Sequence, residues 1–116
     1  MSDPTATDPD KYSVVFENDR VRVLEYRDTP GARTRPHDHP DSVMVTLSGF
    51  ERRLTVGDRT RHVSLEPGEV RWLDAQSHSG ENIGATASHA VFVELKEPAP
   101  ATGPAGALGP AEPVGP

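Results

Sequence analysis

The chain is predicted to be all-β, a single sandwich or barrel of short strands, and three observations carry that reading. Apolar residues recur with period two in short, β-branched runs, turn residues punctuate the runs at close intervals, and no stretch shows the 3.6-residue period of an amphipathic helix.

The strand signals follow one another in order. Tyr12-Ser-Val-Val-Phe16 is stopped by Asn18-Asp19, and Val21-Arg-Val-Leu-Glu-Tyr26 runs on to the turn at Pro30-Gly31. Val43-Met-Val-Thr-Leu47 ends at Ser48-Gly49, and Arg53-Leu-Thr-Val56 and His62-Val-Ser-Leu65 flank Gly57-Asp58. Val70-Arg-Trp-Leu73 follows Pro67-Gly68, and Ala90-Val-Phe-Val-Glu-Leu95 follows Ile83-Gly84. Residues 12–97 therefore form one body, long enough to bury a core without metal or disulfide staples. Residues 1–11 are expected to be a flexible N-terminal segment. Residues 98–116 are almost entirely Pro, Ala and Gly, so a disordered tail is expected there.

Composition narrows the function classes. With 18 acidic and 12 basic residues the net charge is −6, which gives no bulk attraction for nucleic acid. The absence of cysteine excludes disulfides and thiolate ligands. No apolar run approaches membrane length, and the first ten residues lack the basic and apolar regions of a secretory signal, so a cytoplasmic protein without membrane or nucleic-acid partners is expected.

The chemistry concentrates in His37-Asp38-His39 and in His78. Alternate residues of a strand project to one side, so His37 and His39 enter the same enclosure while Asp38 points away from it. A neutral imidazole is the commonest side-chain metal ligand, and a third histidine downstream completes a candidate site. An isolated His-x-His can equally be a pair of ordinary polar residues.

The flanking sequence decides between these readings. Gly31, five residues, His37-x-His39 and then Gly49, followed by Pro67-Gly68 and by His78 with Asn82, resemble the two motifs of the cupin superfamily over residues 18–97. The resemblance implies a jelly-roll barrel, a mononuclear divalent metal and dimerisation through the sheets. It implies His37, His39 and His78 as metal ligands. The motif's glutamate, normally a fourth ligand, falls at Ser42 or Val43, neither of which is a carboxylate; Asp41, Ser42 and Gln76 remain as candidates for a fourth position.

Other residues are read by parity. Arg35 shares the parity of His37 and could hold an anionic substrate. His89 shares the parity of Val91, Val93 and Leu95, which would point it inward as a proton shuttle, with a core histidine bonded to backbone as the plainer alternative. Gln76, two residues before His78, could reach that ligand; Met44 and Thr46 would line the same face, Trp72 would pack in the core, and His62 would lie at the surface.

Three imidazoles leave a divalent ion its full charge and open positions for water, dioxygen or a chelating substrate. The expected function is a metal-dependent enzyme acting on a small molecule, foremost an Fe(II) dioxygenase. A metal-dependent isomerase or cyclase acting on an enolisable carbonyl, and a non-catalytic ligand-binding cupin, are the alternatives. Imidazole also suits Zn, Ni, Mn and Cu.

Overall fold

The computed structural model describes residues 2–97 and 107–111. Among these, nine strands form two antiparallel sheets packed face to face. One sheet has the order β1 (Tyr12–Glu17), β2 (Val21–Asp28), β9 (Ser88–Leu95), β4 (Ser42–Thr46), β7 (Val70–Leu73). The other has the order β3 (His37–His39), β8 (Gln76–Asn82), β5 (Phe50–Val56), β6 (Arg59–Leu65). The expected all-β jelly-roll architecture is present.

Alternation along the strands fills the space between the sheets. Tyr12, Leu24, Tyr26, Met44, Leu73, Ala90 and Phe92 enter from the first sheet, and Phe50, Leu54, Val63 and Leu65 from the second. Removing this apolar surface from water is the main favourable term for the fold.

A polar node joins the two sheets inside the barrel. Asp28, at the end of β2, accepts hydrogen bonds from Tyr26 Oη (2.5 Å), Arg52 Nη1 (2.7 Å), Asn82 Nδ2 (2.9 Å) and Ser88 N (3.1 Å). Gly80 makes room for it, because a Cβ there would overlap the Arg52 guanidinium. The motif residue Asn82 thus serves the node and the turn beyond β8, where it also donates to the Thr86 carbonyl at 2.9 Å.

Both ends of the chain add contacts that composition did not foreshadow. The segment expected to be flexible, 1–11, carries the one-turn helix α1 (Pro4–Thr7), capped by Asp3. It rests on β3 and β2: Asp38 N donates to Ser2 O, the Asp8 carboxylate accepts from Arg35 N, and Asp3 pairs with Arg22 at 2.7 Å. Within the tail expected to be disordered, residues 107–111 lie across one end of the barrel. Leu108 supplies an apolar side chain to the core, and Arg61 donates to its carbonyl at 2.6 Å. Ala111 N donates to Trp72 O at 2.7 Å, and Arg71 donates to Ala111 O. The expectation for 98–106 and 112–116 falls outside the described residues. No described helix is long and apolar enough to cross a membrane.

Candidate metal centre

Strand register builds the site. His37 lies opposite His78, and His39 opposite Gln76, in the β3–β8 pair, so all four side chains share the inner face. The three rings are buried, with centroids 4.7 Å (His37–His39), 5.2 Å (His37–His78) and 5.0 Å (His39–His78) apart. One nitrogen of each lies within 4.8 Å of the others, close enough to share an ion.

Hydrogen bonds to the rings select the free nitrogens. His37 Nδ1 donates to the Arg35 carbonyl at 2.7 Å, so its Nε2 carries the lone pair; that atom is buried and has no hydrogen-bond partner. His78 Nδ1 meets Gln76 Oε1 at 2.8 Å. This oxygen also accepts from Gly109 N, while Gln76 Nε2 donates to the Asp74 carbonyl, which fixes the amide and leaves His78 Nε2 free. An orphaned buried imidazole nitrogen is costly without a partner, and a divalent cation would satisfy it. The donor set therefore fits a metal ion.

Electrostatics keep the rings in the ligand form. Burial pushes all three histidines below the ordinary imidazole value, His39 to about 3 with help from neighbouring His37, and His78 well below normal. They are neutral at pH 7 and ready to bind without releasing a proton.

The space beside the rings is small and mostly apolar. Tyr12, Met44, Phe50, Leu54, Leu73 and Phe92 contribute to its wall, and its volume is about 40 Å³. That is room for roughly three water molecules. Gly109 and Pro110 form part of the wall, so the C-terminal segment closes the cavity.

Several residues singled out by parity stand elsewhere. Arg35 is exposed, and only its backbone serves the site, through the carbonyl that orients His37. The cation that lines the cavity is Arg52, paired with Asp28 at 2.7 Å. His89 faces outward and pairs with Glu25 at 2.7 Å; the inward residues of β9 are Ser88, Ala90, Phe92 and Glu94. Gln76 reaches His78 as expected, although it holds the ring rather than facing a metal. Asp41 accepts from Ala75 N, and Ser42 is fully buried with an unpartnered hydroxyl. Met44 lines the cavity, whereas Thr46 donates to the Glu66 carbonyl and secures the turn after β6. Trp72 lies on the outer face, 39% exposed, and His62 is at the surface beside Glu51. Sequence reasoning did not single out Glu94, which is buried 3.9 Å from His39 Nδ1. Its only signal was a carboxylate inside an apolar strand.

Comparison with known proteins supports this fold. No family model matches the chain. The β-alanine degradation protein BauB of Pseudomonas aeruginosa is 34% identical over 85 residues, spanning 72% of this chain and 88% of that protein. A solved cupin domain from Bordetella pertussis is 28% identical and superposes with a TM-score of 0.68, over 73% of this chain and 91% of that one. The chain is a small single-domain cupin. Another cupin-fold match, the polyketide cyclase RemF of Streptomyces resistomycificus, superposes with a TM-score of 0.54 over 80% of this chain and 69% of RemF. At 22% identity that likeness is one of fold alone. In this chain the centre consists of three histidines, with Ser42 at the position where the motif places a carboxylate.

Proposed function

We propose that this cupin is a metal-dependent enzyme acting on a small organic molecule, with dioxygenase chemistry at Fe(II) as the first reading. The observation that carries it is the convergence of three buried, neutral imidazoles, two of them (His37 and His39) with an orphaned nitrogen, on a mostly apolar cavity. When bound, Fe(II) supplies the activation of dioxygen for reaction with a substrate held beside it. The protein's own residues do the rest. His37, His39 and His78 hold the ion, the Arg35 carbonyl and Gln76 orient two of the rings, and the apolar wall excludes bulk water. Arg52, anchored by Asp28, takes the place first given to Arg35 as the cation for an anionic substrate group. BauB is described by its role in β-alanine degradation, which suits a small polar substrate of this kind.

Anaerobic loading with Fe(II), followed by oxygen exposure with a panel of 1,3-dicarbonyl, thiol and enol compounds, tests the reading. Consumption of dioxygen in step with one of them is expected. Metal-dependent proton exchange of an enolisable carbonyl without dioxygen uptake would instead select the isomerase or cyclase reading, and binding without turnover would select a ligand-binding cupin.

The protein acts as a homodimer in this proposal, through the outer face of the five-stranded sheet. Strand register lines up Phe16, Val23, Val93, Val43 and Trp72 as one apolar row across β1, β2, β9, β4 and β7. Phe16 is 54% and Trp72 39% exposed in the single chain, and such a row calls for a cover.

A further inference from the structure

We propose that Glu94 stands in for the carboxylate missing from the histidine motif, acting from the neighbouring strand as the partner of His39 rather than as a ligand. The proposal rests on the metal reading of the site and adds to it a positioning residue.

The motif position for glutamate falls on Ser42, and the residue directly opposite Ser42 in the β4–β9 pair is Glu94. Cross-strand partners share a face, so a carboxylate lost from β4 is present one strand away. On its other side Glu94 lies opposite Arg22 of β2, whose Nε donates to Glu94 Oε1 at 2.8 Å. Arg22 also pairs with Asp3, at 2.7 Å, so the N-terminal segment braces the pair.

That leaves one oxygen uncommitted. Glu94 Oε2 is buried with no hydrogen-bond partner, and it lies 3.9 Å from His39 Nδ1, which is also buried and without a partner. An acceptor and a potential donor, both orphaned and facing each other at about 1 Å beyond hydrogen-bond length, are an unfinished contact. Phe92 stacks on the His39 ring at 5.4 Å and 21°, which limits the ring to motion within its own plane. A small closure makes His39 Nδ1 the donor to Glu94 and leaves Nε2 as the metal-facing atom.

All three ligands then follow one rule with three different acceptors. His37 Nδ1 is served by a backbone carbonyl, His78 Nδ1 by the Gln76 amide, and His39 Nδ1 by a carboxylate. Only the last is charged. It sets the tautomer, raises the basicity of the ring, and places negative charge behind a site that lacks an anionic ligand.

The test uses full-length, metal-free protein with ¹⁵N-labelled histidine. Long-range proton–nitrogen correlation at pH 7 should show His39 protonated at Nδ1. In Glu94→Gln, Arg22 retains the amide oxygen and the amide NH₂ faces His39, so the ring should switch to the Nε2–H form, and Co(II) affinity should fall about 10- to 100-fold. A His39 found as Nε2–H in the wild type, or one unchanged by the substitution, overturns the proposal. The tautomer is read without metal. The wild-type pattern alone therefore decides the matter should the variant not fold. A protein that shows the predicted tautomers and takes up no Co(II) refutes the metal reading while upholding the Glu94–His39 contact.

Discussion

Replacing Gly109 by alanine should lift the C-terminal segment from the barrel mouth and expose the three histidines. Gly109 has φ +77°, a conformation that costs a residue with a Cβ about 1–2 kcal/mol. A Cβ there would also lie 2.7 Å from Leu54 Cδ1 and 3.5 Å from Val63 Cγ2. Forcing extra volume into such a packed position costs a further ~1–3 kcal/mol. Against this stand the burial of Leu108, worth about 2 kcal/mol, and hydrogen bonds worth ~1 kcal/mol each, donated by Arg61 and accepted by Gln76 Oε1 and the Trp72 carbonyl. Ordering five residues opposes them at about 1 kcal/mol or more apiece. The seat is therefore finely balanced, and even 2 kcal/mol raises the open population roughly 30-fold. The assay is the rate at which diethyl pyrocarbonate modifies each histidine, mapped by peptide mass. Like any substrate of more than a few atoms, the reagent reaches this space of about 40 Å³ only when the segment over it lifts, so His37, His39 and His78 should react at least tenfold faster in the variant. His62, its side chain 57% exposed, supplies the unchanged reference. Equal rates for the buried histidines in a variant of unaltered melting temperature would refute the closure of the cavity by this segment.

Other consequences are as direct. Gln76→Ala removes the acceptor for His78 Nδ1 and the seat for Gly109 N, and should weaken metal binding about 10- to 100-fold by titration calorimetry. Asp28→Asn strips the buried Arg52 of its counter-charge and should cost about 3–5 kcal/mol in urea unfolding. Burial raises the Asp28 pKa, but hydrogen bonds from Tyr26, Ser88 and Asn82 and the charge of Arg52 outweigh it and hold the group below the usual carboxylate value. Its stabilisation is thus complete above the unfolded carboxylate pKa near 4 and is lost as pH falls through the lower folded value. The histidines give a slope at higher pH: their folded pKa values are depressed, so the unfolded chain takes up protons that the folded one refuses. Metal-free protein should lose up to about 1.4 kcal/mol per pH unit for each such histidine as pH falls below about 6.5. His39→Asn should flatten that slope, and an unaltered slope would contradict the assignment.

Much of the centre was legible in the sequence because strand periodicity and a local motif specify it together. His37 and His39 share a face by alternation alone, and Gln76 shares that of His78 by the same rule. What alternation cannot supply is which of two faces is inner when both carry apolar residues. In β9, Val91, Val93 and Leu95 lie on the outer face, and so His89 followed them outward while Glu94 went in with Ala90 and Phe92. Trp72 belongs to the same outer face, which the five-stranded sheet leaves partly uncovered.

Arg52 is a different case. A cation inside a barrel depends on Asp28 from another strand to neutralise it and on Gly80 to give it space, and neither is near it in sequence. Residues 107–111 depart from expectation for a third reason. Composition reports the average poverty of apolar side chains over residues 98–116, whereas a single leucine beside a glycine able to take positive φ, together with hydrogen bonds to Arg61, Gln76 and Trp72, seats five residues.

The central claim is that His37, His39 and His78 bind one metal ion, and metal content by plasma mass spectrometry on tag-free protein tests it most directly. Close to one equivalent is expected in the wild type after reconstitution, and its loss in both His37→Ala and His78→Ala. Wild-type protein without metal after reconstitution with Fe(II), Zn, Ni, Mn and Cu, or variants that retain it, would contradict the account.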